Sequence, residues 1–213
     1  MTLAEALVDL EAKPGGVGKL PFLDERAVKR LLEVVEASGG LPITVDCRDK
    51  ILAVSHPDLT EVILPLCAWL ERLVKIQGEN EGEGGRLLIG IVGPAAAGKS
   101  TLSQLLSAAC TILSGATWIK CVSMDGYQFP NSHLLAEQAV DHLGHPCTLK
   151  DMKGIPVTMD VDALLRDLLR LRTAGSDTIL LPAYDRNLHE PVPDSVSITS
   201  NCKLVIVEGE QHT

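Results

Sequence analysis

Eight consecutive residues, Gly93-Pro94-Ala95-Ala96-Ala97-Gly98-Lys99-Ser100, have the types and spacing to hold a phosphate chain. They fit the pattern G-x-x-x-x-G-K-[ST]. They also follow an apolar run and open a helical pattern, which is the context that mechanism needs. Gly93 and Gly98 let the backbone curl so that its N–H groups point inward at phosphate oxygens. The helix N-terminus adds partial positive charge. Lys99 is placed to reach the β- and γ-phosphates of ATP and Ser100 to hold Mg²⁺, with Thr101 next in the same nucleotide-binding run. A plain glycine turn with a surface lysine is the structural alternative.

Three further segments carry groups that can do chemistry. Met124-Asp125-Gly126-Tyr127 follows a second apolar run. A carboxylate at the C-terminal end of a parallel strand faces the crevice where ligands bind. Asp125 there can accept the proton of a substrate hydroxyl as it attacks the γ-phosphate. An Asp-Gly turn is its ordinary alternative. Pro182-Ala183-Tyr184-Asp185-Arg186-Asn187-Leu188-His189 is dense in groups that bind polar ligands, although a surface loop looks the same. Val205-Ile206-Val207-Glu208-Gly209 ends three apolar residues on an acid, as a Walker B strand does. Glu208 is thereby a second candidate for Mg²⁺, directly or through water, set against a solvent-facing Glu at a strand end.

Elements must hold these groups in place. LLIGIV at 87–92, WIKCVSM at 118–124, TILLP at 178–182 and KLVIVE at 203–208 read as strands. The first is a continuous apolar run, as expected of a parallel strand buried on both faces. Between them Leu102, Leu105, Leu106 and Cys110 mark one helix. Val161, Leu164, Leu165, Leu168 and Leu169 mark another, with Asp160 as its cap. Strands alternating with helices imply βαβ units and a parallel sheet.

Residues 1–76 read as an N-terminal extension, mainly helical. Val28, Leu31, Leu32 and Val35 share a face between a capping Asp24 and a terminating Gly39. ITVD and ILAV flank a polar CRDK and suggest a hairpin. A second helix spans roughly 59–76, begun or kinked by Pro65. Residues 77–85, QGENEGEGG, are acidic and glycine-rich and read as a linker. Residues 86–213 then form the phosphate-binding domain.

Bulk composition narrows the function classes. Hydrophobic residues make up 46% of the 213, enough for a buried core, but aromatics only 3%. The formal net charge of −9 repels a phosphate backbone on average, which argues against nucleic acid as a partner. Cys47, Cys67, Cys110, Cys121, Cys147 and Cys202 show no CxxC spacing and read as reduced thiols of a cytoplasmic protein. His142, His145 and Cys147 cluster, but a zinc site needs about four ligands, and a loop is the better reading. No apolar run reaches the roughly 20 residues of a membrane span. No DxxG follows one of these apolar strands and no N-K-x-D is present, which counts against a GTPase.

In this order the four segments resemble the phosphoribulokinase/uridine kinase family of P-loop kinases, which includes bacterial-type pantothenate kinases. The resemblance covers about residues 87–210. Asp125, Gly126 and Tyr127 match the family's D-G-F, and Glu208 and Gly209 its E-G. K-G-x-P-x-T-x-D at 153–160 and Y-D-R-x-x-H-[DE]-P-V at 184–192 resemble a sugar-kinase-like subgroup. The resemblance implies a three-layer α/β P-loop kinase fold using ATP and Mg²⁺. It implies Asp125 as base beside Lys99, with Tyr127, Tyr184, Arg186 and His189 at the acceptor. The expected reaction is transfer of the γ-phosphate to a hydroxyl of a small metabolite such as a sugar, nucleoside or pantothenate-like compound. Gln128 stands where many relatives have His. After E-G the family continues with an apolar segment and an arginine-bearing lid, whereas here the sequence reads Glu210-Gln211-His212-Thr213. That pattern suggests a C-terminally truncated kinase. Its alternative role is a non-catalytic ATP-binding form that regulates or partners a full-length one. A small-molecule acceptor is the expected partner, with self-association as a homodimer left open.

Overall fold

The computed structural model describes residues 24–45, 48–81, 85–173 and 177–210. Helix α1 (Glu25–Ser38) begins where expected. The Asp24 carboxylate accepts from the Ala27 amide at 2.7 Å. It stops at Gly39, whose φ of 75° only glycine adopts without strain. The hairpin β1 (Leu41–Val45) and β2 (Arg48–Leu52) follows, antiparallel with Thr44 opposite Asp49. Its strands differ from the expected ones. Arg48, Asp49 and Lys50 read as the polar connection, yet they lie in β2, an edge strand whose exposed positions accept polar side chains. The connecting residues 46 and 47, including Cys47, lie outside the described residues.

A π-type turn over Asp58–Ile63 leads into α2 (Leu64–Glu81). Pro65 is thus the second residue of α2, where the π-type turn passes into the α-helix. The helix continues through Gln77 to Glu81, so part of the expected linker is helical; residues 82–84 lie outside the described residues.

Strands β3 (Leu87–Gly93), β4 (Ile119–Ser123) and β9 (Leu204–Glu210) form one parallel sheet in the order β3-β9-β4. The central strand is sealed on both faces: Leu204, Val205 and Ile206 are buried. β3 is an edge, and its Val92 is 66% exposed, so the apolar run marks the strand without implying double burial along its length. Helix α3 (Lys99–Ser114) covers one face, with Leu106, Ala109, Cys110 and Leu113 buried. Val28, Leu31, Leu41, Leu59 and Leu64 of the N-terminal segment join them in a single core with Trp118, Ile119, Leu204 and Ile206. Extension and P-loop helix therefore share their main apolar contacts.

The other sheet face packs a second core. Helix α4 (Asn131–Ala136) and the short pair β5 (Gln138–Val140) and β6 (Pro146–Thr148) precede α5 (Val161–Thr173), capped by Asp160, whose carboxylate accepts from the Ala163 amide at 2.8 Å. Of its apolar positions Leu164 is buried, whereas Leu165 and Leu169 are exposed, so the stripe is narrower than its spacing suggests. The TILLP segment does not enter the parallel sheet. It forms β7 (Ile179–Asp185), which pairs antiparallel with β8 (Glu190–Ile198). Buried Arg86 ties these parts together, donating to the carbonyls of Leu171, Asp177 and Thr199 at 3.4, 3.1 and 3.3 Å. Among the described residues no helix is long and apolar enough to cross a membrane.

Candidate functional site

The loop after β3 is exposed from Pro94 to Gly98 and leads directly into α3. Two residues set its curl: Gly98 at φ 82°, immediately before the helix, and Ala96 at φ 59°. A non-glycine residue in that region stores strain, which persists where the backbone shape serves a purpose. The Lys99 ammonium donates to the Pro94 carbonyl at 2.8 Å, so the side chain folds over its own loop.

Sheet register aligns the acidic groups with this loop. Glu208 lies level with Ile91 of β3 on one side and Ser123 of β4 on the other. The Glu208 side chain is buried, and its Oε2 accepts from Ser100 Oγ at 2.7 Å. Gly209 follows because β9 passes close to Met124: a Cβ there would sit 2.2 Å from the Met124 sulfur. Gly126 has a similar reason. A Cβ on it would meet the Pro182 carbonyl oxygen at 2.8 Å and Ala183 Cα at 3.1 Å. Both glycines thus let the Asp125 turn lie against the ends of β9 and β7.

Asp125 itself is partly exposed. It accepts from Gln128 Nε2 at 3.3 Å and forms an ion pair with Arg186 at 3.5 Å. Asp125, Ser100 and Glu208 open into one cleft of about 420 Å³ together with Tyr184 and Arg186. The cleft runs along the β4 side of the sheet. Thr44, Val45, Gln104, Ser107, Lys120, Cys121, Ser123 and the segment Ser195–Ser197 complete its lining. Hydroxyl side chains recur among them, at Thr44, Ser107, Ser123, Ser195 and Ser197. Cys121 is not a nucleophile in waiting: burial pushes its thiol up to about 12, and its Sγ donates to the Ser103 carbonyl at 3.2 Å.

Two of the residues expected at the acceptor lie elsewhere. Tyr127 is buried, and its hydroxyl donates to Asp167 at 3.1 Å in the second core. The cause is local: residues 124–127 form one 3₁₀ turn, and at three residues per turn positions 125 and 127 point about 120° apart. Burial, then the Asp167 carboxylate, raises the pKa of the Tyr127 phenol above its ordinary value. His189 is exposed, has a left-handed φ of 51° and does not line the cleft. Its backbone carbonyl accepts from Lys153 Nζ at 2.9 Å and from Asn131 Nδ2 at 3.0 Å.

Sequence reasoning left out several residues in and around the cleft. Lys120 had a usable signal, a cation inside an otherwise apolar strand. Lys153 stood within the K-G-x-P motif; its ammonium lies 5.0 Å from the centre of the Tyr184 ring and donates to Asn131 Oδ1 at 2.9 Å. Glu190 of the same motif pair accepts from the Asn131 amide at 3.0 Å. Thr44 and Val45 had no signal. Among the described residues no group of three or more His, Cys, Asp or Glu side chains gathers into a metal cluster. The Ser100 and Glu208 oxygens fit a hard cation that keeps several waters and shares substrate phosphates, as Mg²⁺ does.

No protein-family model matches the chain. Pantothenate kinase of Streptococcus pneumoniae (strain Hungary19A-6) is 28% identical over 166 residues, which cover 73% of this chain and 50% of the relative. Pantothenate kinase of Rhizobium meliloti (strain 1021) is 30% identical over 122 residues, 57% of this chain and 34% of the relative. The chain thus spans half or less of the length of these curated relatives. Among solved structures, a Silicibacter sp. TM1040 protein described under the name of a fructose transport system kinase superposes with a TM-score of 0.53 and 26% identity. The match covers 70% of this chain and 63% of that one. With the P-loop between β3 and α3 and the motifs in matching order, the chain has a P-loop kinase fold and is similar to the pantothenate kinases and to the sugar-kinase structure named above.

Proposed function

We propose that this chain transfers the γ-phosphate of ATP to a hydroxyl of a small polar metabolite. The observation that carries the reading is the single cleft shared by Ser100, Glu208, Asp125 and Arg186. It sets a phosphate-loop hydroxyl and a carboxylate for Mg²⁺ beside a second carboxylate that can take a proton. The strained loop, its amides and Lys99 hold the phosphates, and an incoming phosphate replaces the Pro94 carbonyl as partner of the Lys99 ammonium. Ser100 and Glu208 would hold Mg²⁺, which would neutralise charge on the phosphate oxygens.

Asp125 accepts the acceptor's hydroxyl proton while that oxygen bonds to the γ-phosphorus. The bond from phosphorus to the β–γ bridging oxygen breaks, and ADP departs. Arg186 and Gln128 orient the Asp125 carboxylate. Tyr184 and the hydroxyl-rich wall face the acceptor. That lining suits a sugar or pantothenate-like compound. A nucleoside is less well served, because Tyr184 is the lone aromatic in the lining and Lys153 already stacks on its ring.

The test is ADP formation by the purified chain with Mg-ATP and a panel of sugars, nucleosides and pantothenate. ADP release that requires one acceptor supports the reading. ATP binding with no transfer to any acceptor contradicts it and leaves a nucleotide-binding form.

A further inference from the structure

The cleft does not end with the residues of the P-loop domain. Thr44 and Val45, from the β1–β2 hairpin, line it alongside Asp125 and Arg186. The root of that hairpin is firmly held. Leu41 and Ile43 are buried, and Leu41 shares a core with Leu106 and Leu113 of the P-loop helix. Gly40 passes the Leu52 carbonyl so closely that a Cβ would stand 2.1 Å from its oxygen, so a side chain there would displace the hairpin. Across the pair Thr44 Oγ1 donates to Asp49 Oδ1 at 2.7 Å, which fixes the Thr44 rotamer at the cleft edge.

The start of β2 reaches the opposite wall. Arg48 donates to the side-chain oxygen of Asn187, 139 positions away in the chain. The Asn187 and Leu188 amides donate in turn to Asp185 Oδ1 at 2.7 and 3.2 Å. That turn carries Arg186, which pairs with Asp125. A segment serving only to cover α3 needs apolar contacts. It has no use for a polar bridge to the far side of the site.

We infer that the β1–β2 hairpin is a wall of the acceptor cleft. Arg48 is a positioning residue that holds the 185–189 turn through Asn187, and Thr44 and Val45 border the acceptor and help select it. The identity of what fills the cleft rests on the proposed kinase reading; the coupling of hairpin to turn rests on geometry alone.

Two measurements on the full chain separate these parts, using Arg48→Ala, Asn187→Ala and Thr44→Val. One exposed hydrogen bond adds little to global stability, so its loss acts locally. Amide hydrogen exchange at residues 185–189 is expected to quicken about 3- to 10-fold in Arg48→Ala and Asn187→Ala, with α3 and β9 unchanged. Exchange at 185–189 that stays at the wild-type rate in both variants overturns the coupling, whatever the chain's activity. In turnover assays the acceptor KM is expected to rise roughly 5- to 10-fold in all three variants while the KM for ATP stays put. An acceptor KM within about twofold of wild type in all three overturns the wall. Absence of any transfer by the wild type removes the kinase reading and the selecting role with it, and the exchange data still decide the coupling.

Discussion

On the proposed phosphate side, eight neighbouring residues shape the loop through their own backbone, from the left-handed Ala96 and Gly98 to the N-terminus of α3. The proposed acceptor side is assembled from five separated segments: Thr44 and Val45, Gln104 and Ser107, Lys120 to Asp125, Ala183 to Arg186, and Ser195 to Ser197. A site built from one contiguous loop is robust to changes elsewhere and common to many enzymes. A site assembled across the chain depends on packing between its parts, and that is where substrate choice can diverge. Variants on the two sides should therefore fail in different ways.

The largest effect is expected on the phosphate side. Lys99→Ala should lower transfer by about two to three orders of magnitude and weaken ATP binding, because it removes a charge that meets the developing negative charge in the transition state. Nucleotide titration followed by turnover checks both. Acceptor-side substitutions such as Arg48→Ala should leave nucleotide affinity as it is; a parallel loss of ATP affinity would break the contrast between the two sides.

Next come the glycines that join the sides. Gly126→Ala is expected to cost about 2–3 kcal/mol, since its new methyl meets the Pro182 carbonyl and Ala183 backbone, which cannot swing away. Gly209→Ala meets the Met124 side chain, which can change rotamer, and should cost about 1 kcal/mol. For a chain of this length each kcal/mol lowers Tm by roughly 2–4 °C, so thermal unfolding will rank them. The reverse ranking would contradict the account of how the Asp125 turn is seated.

The smallest effect concerns Tyr127, on the far side of that turn. Its phenol is raised in the folded state by burial and by Asp167, whereas the unfolded phenol titrates near about 10. The neutral form is the one folding favours. Its contribution is full below the unfolded value and is lost as pH rises through the folded one. Tyr127→Phe should flatten the fall in stability above about pH 10 and leave acceptor KM unchanged. A large change in acceptor KM would return Tyr127 to the site.

How much of this was legible follows the same division. The P-loop, the Glu208 strand end and the Asp125 turn could be read because each needs only local sequence. So could α1, whose cap and terminator are single residues. Tyr127 could not be placed, because which side of a 3₁₀ turn faces a ligand depends on what packs against it. The β2 strand was hidden because Arg48, Asp49 and Lys50 look like a turn unless the strand is known to be an exposed edge. The start of the acidic stretch after Ile76 reads as a linker, yet α2 carries it to Glu81. Thr44 and Val45 gave no sign, since their role comes only from where the hairpin docks.

The most direct test of the central claim is acceptor-dependent turnover of Mg-ATP by the wild type and by Asp125→Asn, with nucleotide affinity measured on both. The account predicts that transfer falls by about two to four orders of magnitude while ATP affinity changes less than about twofold. Transfer that survives in Asp125→Asn would contradict it, because the carboxylate in the shared cleft would then not be the group that takes the proton.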